Sequence, residues 1–583
     1  MSRSSQRLIF TAIFAVAAIA FFTGINWGLP SRESDPLLFG SRVPWTGDQI
    51  TALAGAWDES AGRGADIAMH PLVDRSKPVE LNDTDAKRAE IVRRYRLYSS
   101  QPDEMITFRS LSGMKPGRLK LDPKMYQYGG LWIYPVGGLL KIASLLHLVT
   151  LRTDLAFYLD HPEAFARFYL VARIYSALWG LLGVWVVCRL GREWTGRFLV
   201  GAAAAGMFAS MPVVIDLAHE AKPHLAGTVL ILLTILAALR YVRSGGRRWL
   251  ILAGVFAGAA MGMVLTGYVA FAVLPVMALL GEKSWRRRII IAGASGLVGI
   301  AIFALTNPYL PFNVLFHREL LHSNVGNYGT FYQPRLSLSA IVVTGRSIFD
   351  GLSLAPTVVG GIAICALWFI RDTGLGPVSR QRTGFLLAGP AVIVLLQMVL
   401  LARGKTAEYA RFGLLPDVAI AIAAAALVGS IDLKPKEKAM TAVLLAGATL
   451  FYGFRYDLNF VLDGRDDSTR RAAARVIGTC QQQTQTLAVW AEPAPYCLPP
   501  VDLFTWRIVL LPAGGELTPI PPGAIAVRPV DEPSSLPRLP HGIRQFKPAN
   551  EIARPSSPIS WANKPFEILG TTRRAVSQPA ARP

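Results

Sequence analysis

Apolar runs long enough to cross a bilayer recur along the middle of this chain, and they constrain its fold more than any other feature. They fall at Leu8–Thr23, Phe168–Val187, Phe198–Leu217, Leu225–Tyr241, Leu250–Leu265, Val269–Leu280, Ile289–Leu305, Leu352–Ile370, Phe385–Leu401, Phe412–Gly429 and Met440–Phe454. Most approach the roughly 20 residues that an α-helix needs to span a hydrocarbon core of about 30 Å. Inside lipid every backbone N–H and C=O must be satisfied internally, so uninterrupted apolar runs of this length become helices. The expected architecture is therefore an all-α polytopic membrane protein with about eleven transmembrane helices. A mean hydropathy of +0.36 over 583 residues fits that class and not a string of soluble domains.

The net charge of +21 would suit a polyanion-binding protein if the charges shared one surface. They do not. Arg189, Arg192 and Arg197; Arg240, Arg243, Arg247 and Arg248; Lys283 and Arg286–Arg288; Arg371, Arg380 and Arg382; and Lys434, Lys436 and Lys438 occupy short loops between apolar runs, and the alternate loops are poor in base. This positive-inside bias orients helices and excludes a nucleic-acid partner. It puts the N-terminus in the cytoplasm and the C-terminus outside, and the Arg- and Ala-rich usage points to a bacterial plasma (inner) membrane. Leu8–Thr23 reads as a retained helix more readily than a cleaved signal, because no polar cleavage region follows Ala20. Gly129–Val149 carries Pro135, Gly137, Gly138 and Lys141 and is expected to lie at the outer interface. A true span there would invert the charge bias of every later loop.

These assignments make 1–456 a transmembrane domain whose first extracytoplasmic loop, 29–167, is long and polar. Residues 457–528 read as a small extracytoplasmic α/β region, with a helix over Ser468–Thr479 and β-type runs at Leu487–Ala491 and Ile508–Leu511. The Pro-rich stretch 529–583 is expected to be extended or disordered. Gly254, Gly258 and Gly262 recur every four residues, a spacing that lets helices approach closely. Cys188 and Cys365 lie in apolar runs as packing residues. Cys480 and Cys497 both lie in the outward tail, where a disulfide between them fits an oxidising compartment.

The apolar runs carry almost no charge, which argues against an ion-coupled transporter. Chemistry must then reside on the outward loops. After the first helix stands WGLPSRESDP (27–36), with Glu33 and Asp35. A later outward turn reads DLAHEAKPH (216–224), placing His219, Glu220, Lys222 and His224 within six residues. Such a turn either caps the membrane boundary or serves a site. His219, Glu220 and His224 have a spacing that can hold a divalent cation, the one cofactor the residues suggest.

Several stretches, in order, resemble the GT-C membrane glycosyltransferases, the superfamily of dolichyl-phosphate-mannose protein mannosyltransferases and the lipid A aminoarabinose transferase. They are the WGLP-x4-Asp stretch, YQYGGLWIY (126–134), VARIYSALWGLL (171–182), AHEAKPH (218–224), TNPYL (306–310), YARFGLLP (409–416) and RDDSTRRAAARVI (465–477). The resemblance implies a GT-C-like bundle that moves a sugar, mannose by default, from a polyprenyl-phosphate donor to an acceptor hydroxyl of a glycan, lipid or protein, with inversion. It implies Asp35 as base with Glu33 as its understudy. It sets His219, Lys222, His224 and Arg411 at the donor phosphate or its cation, with Lys124, Tyr128 and Arg173 as lesser ligands and Asn307 and Tyr309 at the pocket rim. Elementary readings stand beside these: Asp35-Pro36 as a turn initiator and Arg411 as an interfacial anchor. The chain departs from the family pattern at Pro36, His224, Thr266-Gly267 and Phe412. A lipid or glycan flippase, or a GT-C-fold scaffold without activity, are the competing readings.

Overall fold

The computed structural model describes residues 2–60, 78–318, 337–369, 380–401, 411–431, 434–464, 468–480, 484–489, 498–511, 523–529, 543–546 and 562–570. They form two compact units. The first comprises Met1–Ile25, Ile106–Leu139 and Val171–Asp457; the second comprises Asn26–Met105, Leu140–Leu170 and Leu458–Pro583.

Among the described residues six helices are long and apolar enough to cross a membrane: Arg3–Phe22, Pro162–Thr195, His224–Ser244, Trp285–Thr306, Arg382–Leu401 and Arg411–Ser430. Two bent pairs bring the number to eight among the described residues, against an expectation of about eleven over the whole chain. The pair Phe198–Ser210 and Pro212–Ala218 bends by 59° where one span was expected. Pro212 lacks an N–H and drives Met211 into extended backbone (φ −63°, ψ 128°), which ends the first helix. The pair Leu338–Leu352 and Leu354–Ala366 turns through 115°. Its pivot is Ser353 at φ +85°, a left-handed region that a residue with a Cβ rarely enters. The expected span Leu250–Leu265 corresponds to Arg247–Met263, only 17 residues long. Val269–Leu280 straddles a 3₁₀ segment, Leu265–Ala272, and a short α-helix, Val273–Gly281. Met440–Phe454 lies within the 29-residue helix Pro435–Asp463, whose charged ends dilute its apolar centre.

The glycine stripe packs helix on helix. A Cβ at Gly254 would stand 2.4 Å from the Ser295 carbonyl oxygen, and one at Gly258 would stand 2.1 Å from that of Gly299. Helices Arg247–Met263 and Trp285–Thr306 therefore touch backbone to backbone, which only glycine permits. The outer face of Trp285–Thr306 stays bare, with Leu297 and Leu305 more than two-thirds exposed. A row of exposed aliphatics on a helix this apolar suits lipid and not water.

In the second unit, β1 (Val79–Glu80), β2 (Thr486–Val489), β3 (Arg507–Leu510), β4 (Ile525–Pro529), β5 (Ile543–Phe546) and β6 (Phe566–Gly570) form one sheet in the order β1-β3-β2-β4-β6-β5. β2 runs parallel to β3 and β4, and the other pairings are antiparallel. β1 comes from the first long loop. Asn82, just beyond it, donates to the Leu503 and Trp506 carbonyls and accepts from Ile508 N–H, tying loop to sheet. Helix Thr469–Thr479 is capped by the Ser468 hydroxyl, which accepts from Arg471 N–H. The stretch 529–583, expected to be extended or disordered, contributes β5 and β6. Runs of four or five residues between prolines carry too little periodicity to announce strands, and β6 is held by partners on both sides. Cys480 is buried at the end of Thr469–Thr479; Cys497, its expected disulfide partner, lies outside the described residues.

Candidate functional site

In the second unit Asp35 opens a five-residue helix, Asp35–Phe39, with Pro36 next to it. Its carboxylate is buried and doubly clamped. Arg96 donates from Nη2 to Oδ2 (2.8 Å) and from Nε to Oδ1 (3.3 Å), and Arg32 donates from Nε to Oδ2 (3.0 Å). Arg96 is fully buried, and its Nη1 reaches the carbonyls of Trp45 (2.9 Å) and Leu159 (3.2 Å). The pair therefore bolts together three segments of the first loop, a role absent from the sequence reading. These three hydrogen bonds leave one lone-pair site on Oδ1. Glu33 is exposed and pairs with Arg471.

The Asp216–His224 turn lies in the first unit. His219 is buried, with Nδ1 2.8 Å from the Ile215 carbonyl and Nε2 2.7 Å from that of Thr23. Burial pushes its pKa down to about 4, so the ring is neutral at pH 7 and can donate to only one of the two oxygens. Glu220 and Lys222 form a buried ion pair at 3.3 Å. The Ser176 hydroxyl bonds the Leu217 carbonyl behind them at 2.9 Å. Arg173, also buried, donates to the Ile25 carbonyl at 2.8 Å. Both His219 nitrogens face carbonyl oxygens and Glu220 faces an ammonium, so His219, Glu220 and His224 do not assemble as a cation's ligands. Among the described residues no cluster of three such side chains forms.

His224 turns away from that group. It begins helix His224–Ser244 and lies edge-on to the rings of Tyr128 (6.1 Å) and Phe412 (6.0 Å). It lines a cavity of about 50 Å³ with Thr228, Thr266, Gln397, Arg411 and Phe412, over walls that include Ile231, Val264, Val394 and Leu415. The Arg411 guanidinium carbon sits 5.0 Å from the centre of the Phe412 ring. One fixed cation and one imidazole above an apolar wall suit a small anionic group joined to a hydrocarbon chain.

Asn307 and Tyr128 act on this cavity through its wall. Asn307 Oδ1 accepts from Gly130 N–H at 2.7 Å, and its Nδ2 donates to the Gly262 carbonyl at 3.2 Å. Beside it Gly129 N–H donates to the Met263 carbonyl at 3.0 Å, and Tyr128 bridges Val264, itself a wall residue. Tyr309 is half-buried at the start of helix Tyr309–Phe316. Lys124 is exposed at φ +56°, and its N–H is held by Asp122 Oδ1 at 2.9 Å. Asp122 also accepts from the Tyr126 hydroxyl (2.6 Å) and from Asn313 Nδ2 (3.2 Å). Desolvation, with Asp122 alongside, pushes the Tyr126 pKa up, so the phenol stays a donor. Asp122, Asn313, Gln397 and Thr266 were not foreseen. Only the departure at Thr266-Gly267 hinted at that stretch, since single polar residues in apolar surroundings carry no spacing to read.

The sequence model of the dolichyl-phosphate-mannose-protein mannosyltransferase family matches residues 166–311. No curated protein matches the chain. Among solved structures, ArnT from Cupriavidus metallidurans bound to undecaprenyl phosphate aligns at 12% identity and a TM-score of 0.41, over 99% of this chain and 100% of that one. The oligosaccharyltransferase AglB from Archaeoglobus fulgidus, in complex with an inhibitory peptide and a dolichol-phosphate, aligns at 12% and 0.35, over 75% and 58%. The Pmt1-Pmt2 protein O-mannosyltransferase complex of S. cerevisiae, bound to its sugar donor, aligns at 14% and 0.28, over 53% and 38%. The matched segment contains Arg173, the His219–His224 turn and Asn307, so over residues 166–311 this chain is similar in sequence to the dolichyl-phosphate-mannose-protein mannosyltransferases.

Proposed function

We propose that this protein is a multi-pass membrane glycosyltransferase that transfers a sugar, mannose by default, from a polyprenyl-phosphate carrier to an acceptor hydroxyl on the extracytoplasmic face of a plasma membrane. One observation carries the reading: the segment that matches the mannosyltransferase family supplies His224, Thr228 and Thr266 to a cavity that Arg411 closes with a positive charge. The acceptor is a glycan, a lipid or a protein, and membrane lipids surround the spans.

In this reading the isoprenoid lies along Ile231, Val394 and Leu415 with its phosphate under Arg411 and His224. As the acceptor oxygen attacks the anomeric carbon from the opposite side, the glycosidic electron pair leaves with the phosphate, whose growing charge Arg411 stabilises. The acceptor proton goes to a carboxylate, for which the family resemblance makes Asp35 the candidate and Glu33 the alternative. Arg96 and Arg32 hold that carboxylate through three hydrogen bonds, with one acceptor site on Oδ1 left over. The two bent helix pairs favour a second reading, a lipid or glycan flippase, since broken helices line many transport paths.

The test uses full-length protein in nanodiscs with polyprenyl-phosphate [³H]mannose and a cell-envelope fraction as acceptor. Label transfer with release of free polyprenyl phosphate is expected, and Arg411→Ala lowers the rate by about 100-fold, as removal of a transition-state donor does elsewhere. Transbilayer movement of the lipid with its sugar bond intact supports the flippase and overturns the transferase.

A further inference from the structure

Asp417 has no part in the cavity chemistry. It stands in the first turn of helix Leu414–Ser430, is fully buried, and neither of its carboxylate oxygens has a hydrogen-bond partner. A carboxylate in such a place is costly unless something positive meets it, and within a membrane-spanning segment it marks function more often than packing.

Among the described residues it faces the end of a helix. A Cβ on Gly351 would lie 2.3 Å from Asp417 Oδ2, so the carboxylate rests directly against the last turn of helix Leu338–Leu352. That turn ends at Ser353, where the chain pivots into the next helix. The final carbonyls of a helix have no intrahelical donors and carry about half a negative charge. The same turn carries Asp350, which repels Asp417; Arg346 Nε stands 3.7 Å from Asp350 Oδ2. The buried Ser353 hydroxyl at the pivot is also without a hydrogen-bond partner. Carboxylates, a hydroxyl and helix-end carbonyls at a break between helices are the donor set of a hard cation.

We propose that Asp417, with Asp350 and the C-terminal turn of helix Leu338–Leu352, forms a binding site for a hard, oxygen-liganded cation. The site is separate from the His219, Glu220 and His224 set and independent of the transferase reading. Glycine at 351 lets the carboxylate approach the helix end this closely.

The test is cation binding by the full-length protein in detergent, stripped with EDTA and titrated with Ca²⁺ or Mg²⁺ alone. Thermal midpoint and Tb³⁺ luminescence competed by Ca²⁺ are the readouts. Saturable stabilisation is expected, weakened at least about tenfold in Asp417→Asn and in Gly351→Ala. Asp417→Asn removes a charge without changing shape, so it is expected to remain folded, as gel filtration reports; Asp350→Asn serves if it does not. Binding equal to wild type in these variants overturns the proposal. So does a wild type that ignores cations while Asp417→Asn is more stable, which means the carboxyl holds a proton instead.

Discussion

Replacing Asn307 by Leu tests whether the Thr-Asn-Pro-Tyr stretch is a clip and not a ligand. Asn307 caps helix Trp285–Thr306 and gives its two amide atoms to separate partners, the Gly130 N–H and the Gly262 carbonyl. Leucine has the same branched skeleton and neither polar atom. The Gly130 amide, buried here, is then an orphan donor, at a cost of about 1–3 kcal/mol, and loss of the Gly262 contact adds about 1 kcal/mol. A local destabilisation of about 2–4 kcal/mol corresponds to roughly 30- to 1000-fold faster opening. Hydrogen exchange followed by mass spectrometry on peptides covering 126–134 and 259–267 reads it directly. Asn307→Asp keeps the acceptor for Gly130 but turns an oxygen toward the Gly262 carbonyl, so it is expected to fall between wild type and Asn307→Leu. Exchange in Asn307→Leu within threefold of wild type refutes the clip.

The other predictions rest on charge and on close packing. Asp35→Asn is expected to abolish transfer if Asp35 is the base, and also to loosen the first loop, because Arg96 loses its counter-charge. A variant with normal turnover leaves the bolt and removes the base. The His219 pKa lies below that of a free imidazole, so the unfolded chain binds the extra proton first. Stability present above pH 6.5 is then lost as the pH falls toward 4, by up to about 3 kcal/mol. His219→Gln is expected to flatten that part of the pH–stability profile in thermal scans. Burial raises the pKa of Asp457 to about 8, so the folded state holds a proton that the unfolded state sheds. Stability therefore declines as the pH rises from about 4 to 8, and Asp457→Asn is expected to melt higher than wild type at pH 8; an unchanged melting profile contradicts it. Gly258→Val forces a side chain against the Gly299 carbonyl and is expected to eliminate monodisperse protein on gel filtration.

Much of the helical unit is legible because lipid leaves a chain few options. An apolar run must become a helix, so Leu225–Tyr241 and Ile289–Leu305 were located to within a few residues as His224–Ser244 and Trp285–Thr306. The stripe of Gly254, Gly258 and Gly262 declared its purpose by spacing alone, and each lies against the neighbouring helix. Where a span breaks was less legible. Pro212 was visible, but the turn at Ser353 depends on what the helix packs against, and nothing local to Ser353 demands φ +85°.

The amino-acid order by itself determined the class of solvent, the helical segments and the few stretches where polar residues gather. Tertiary structure alone decided what those polar residues do. It tied Asp35 to Arg96, 61 residues on, gave both His219 nitrogens carbonyl neighbours, and left Asp417 facing a helix end. The physical reason is one of range. Hydropathy and backbone preference act over a turn or two of chain, so they can be read in order. The role of a buried charge is set by whatever stands within a few ångströms, and those neighbours come from segments far away in sequence.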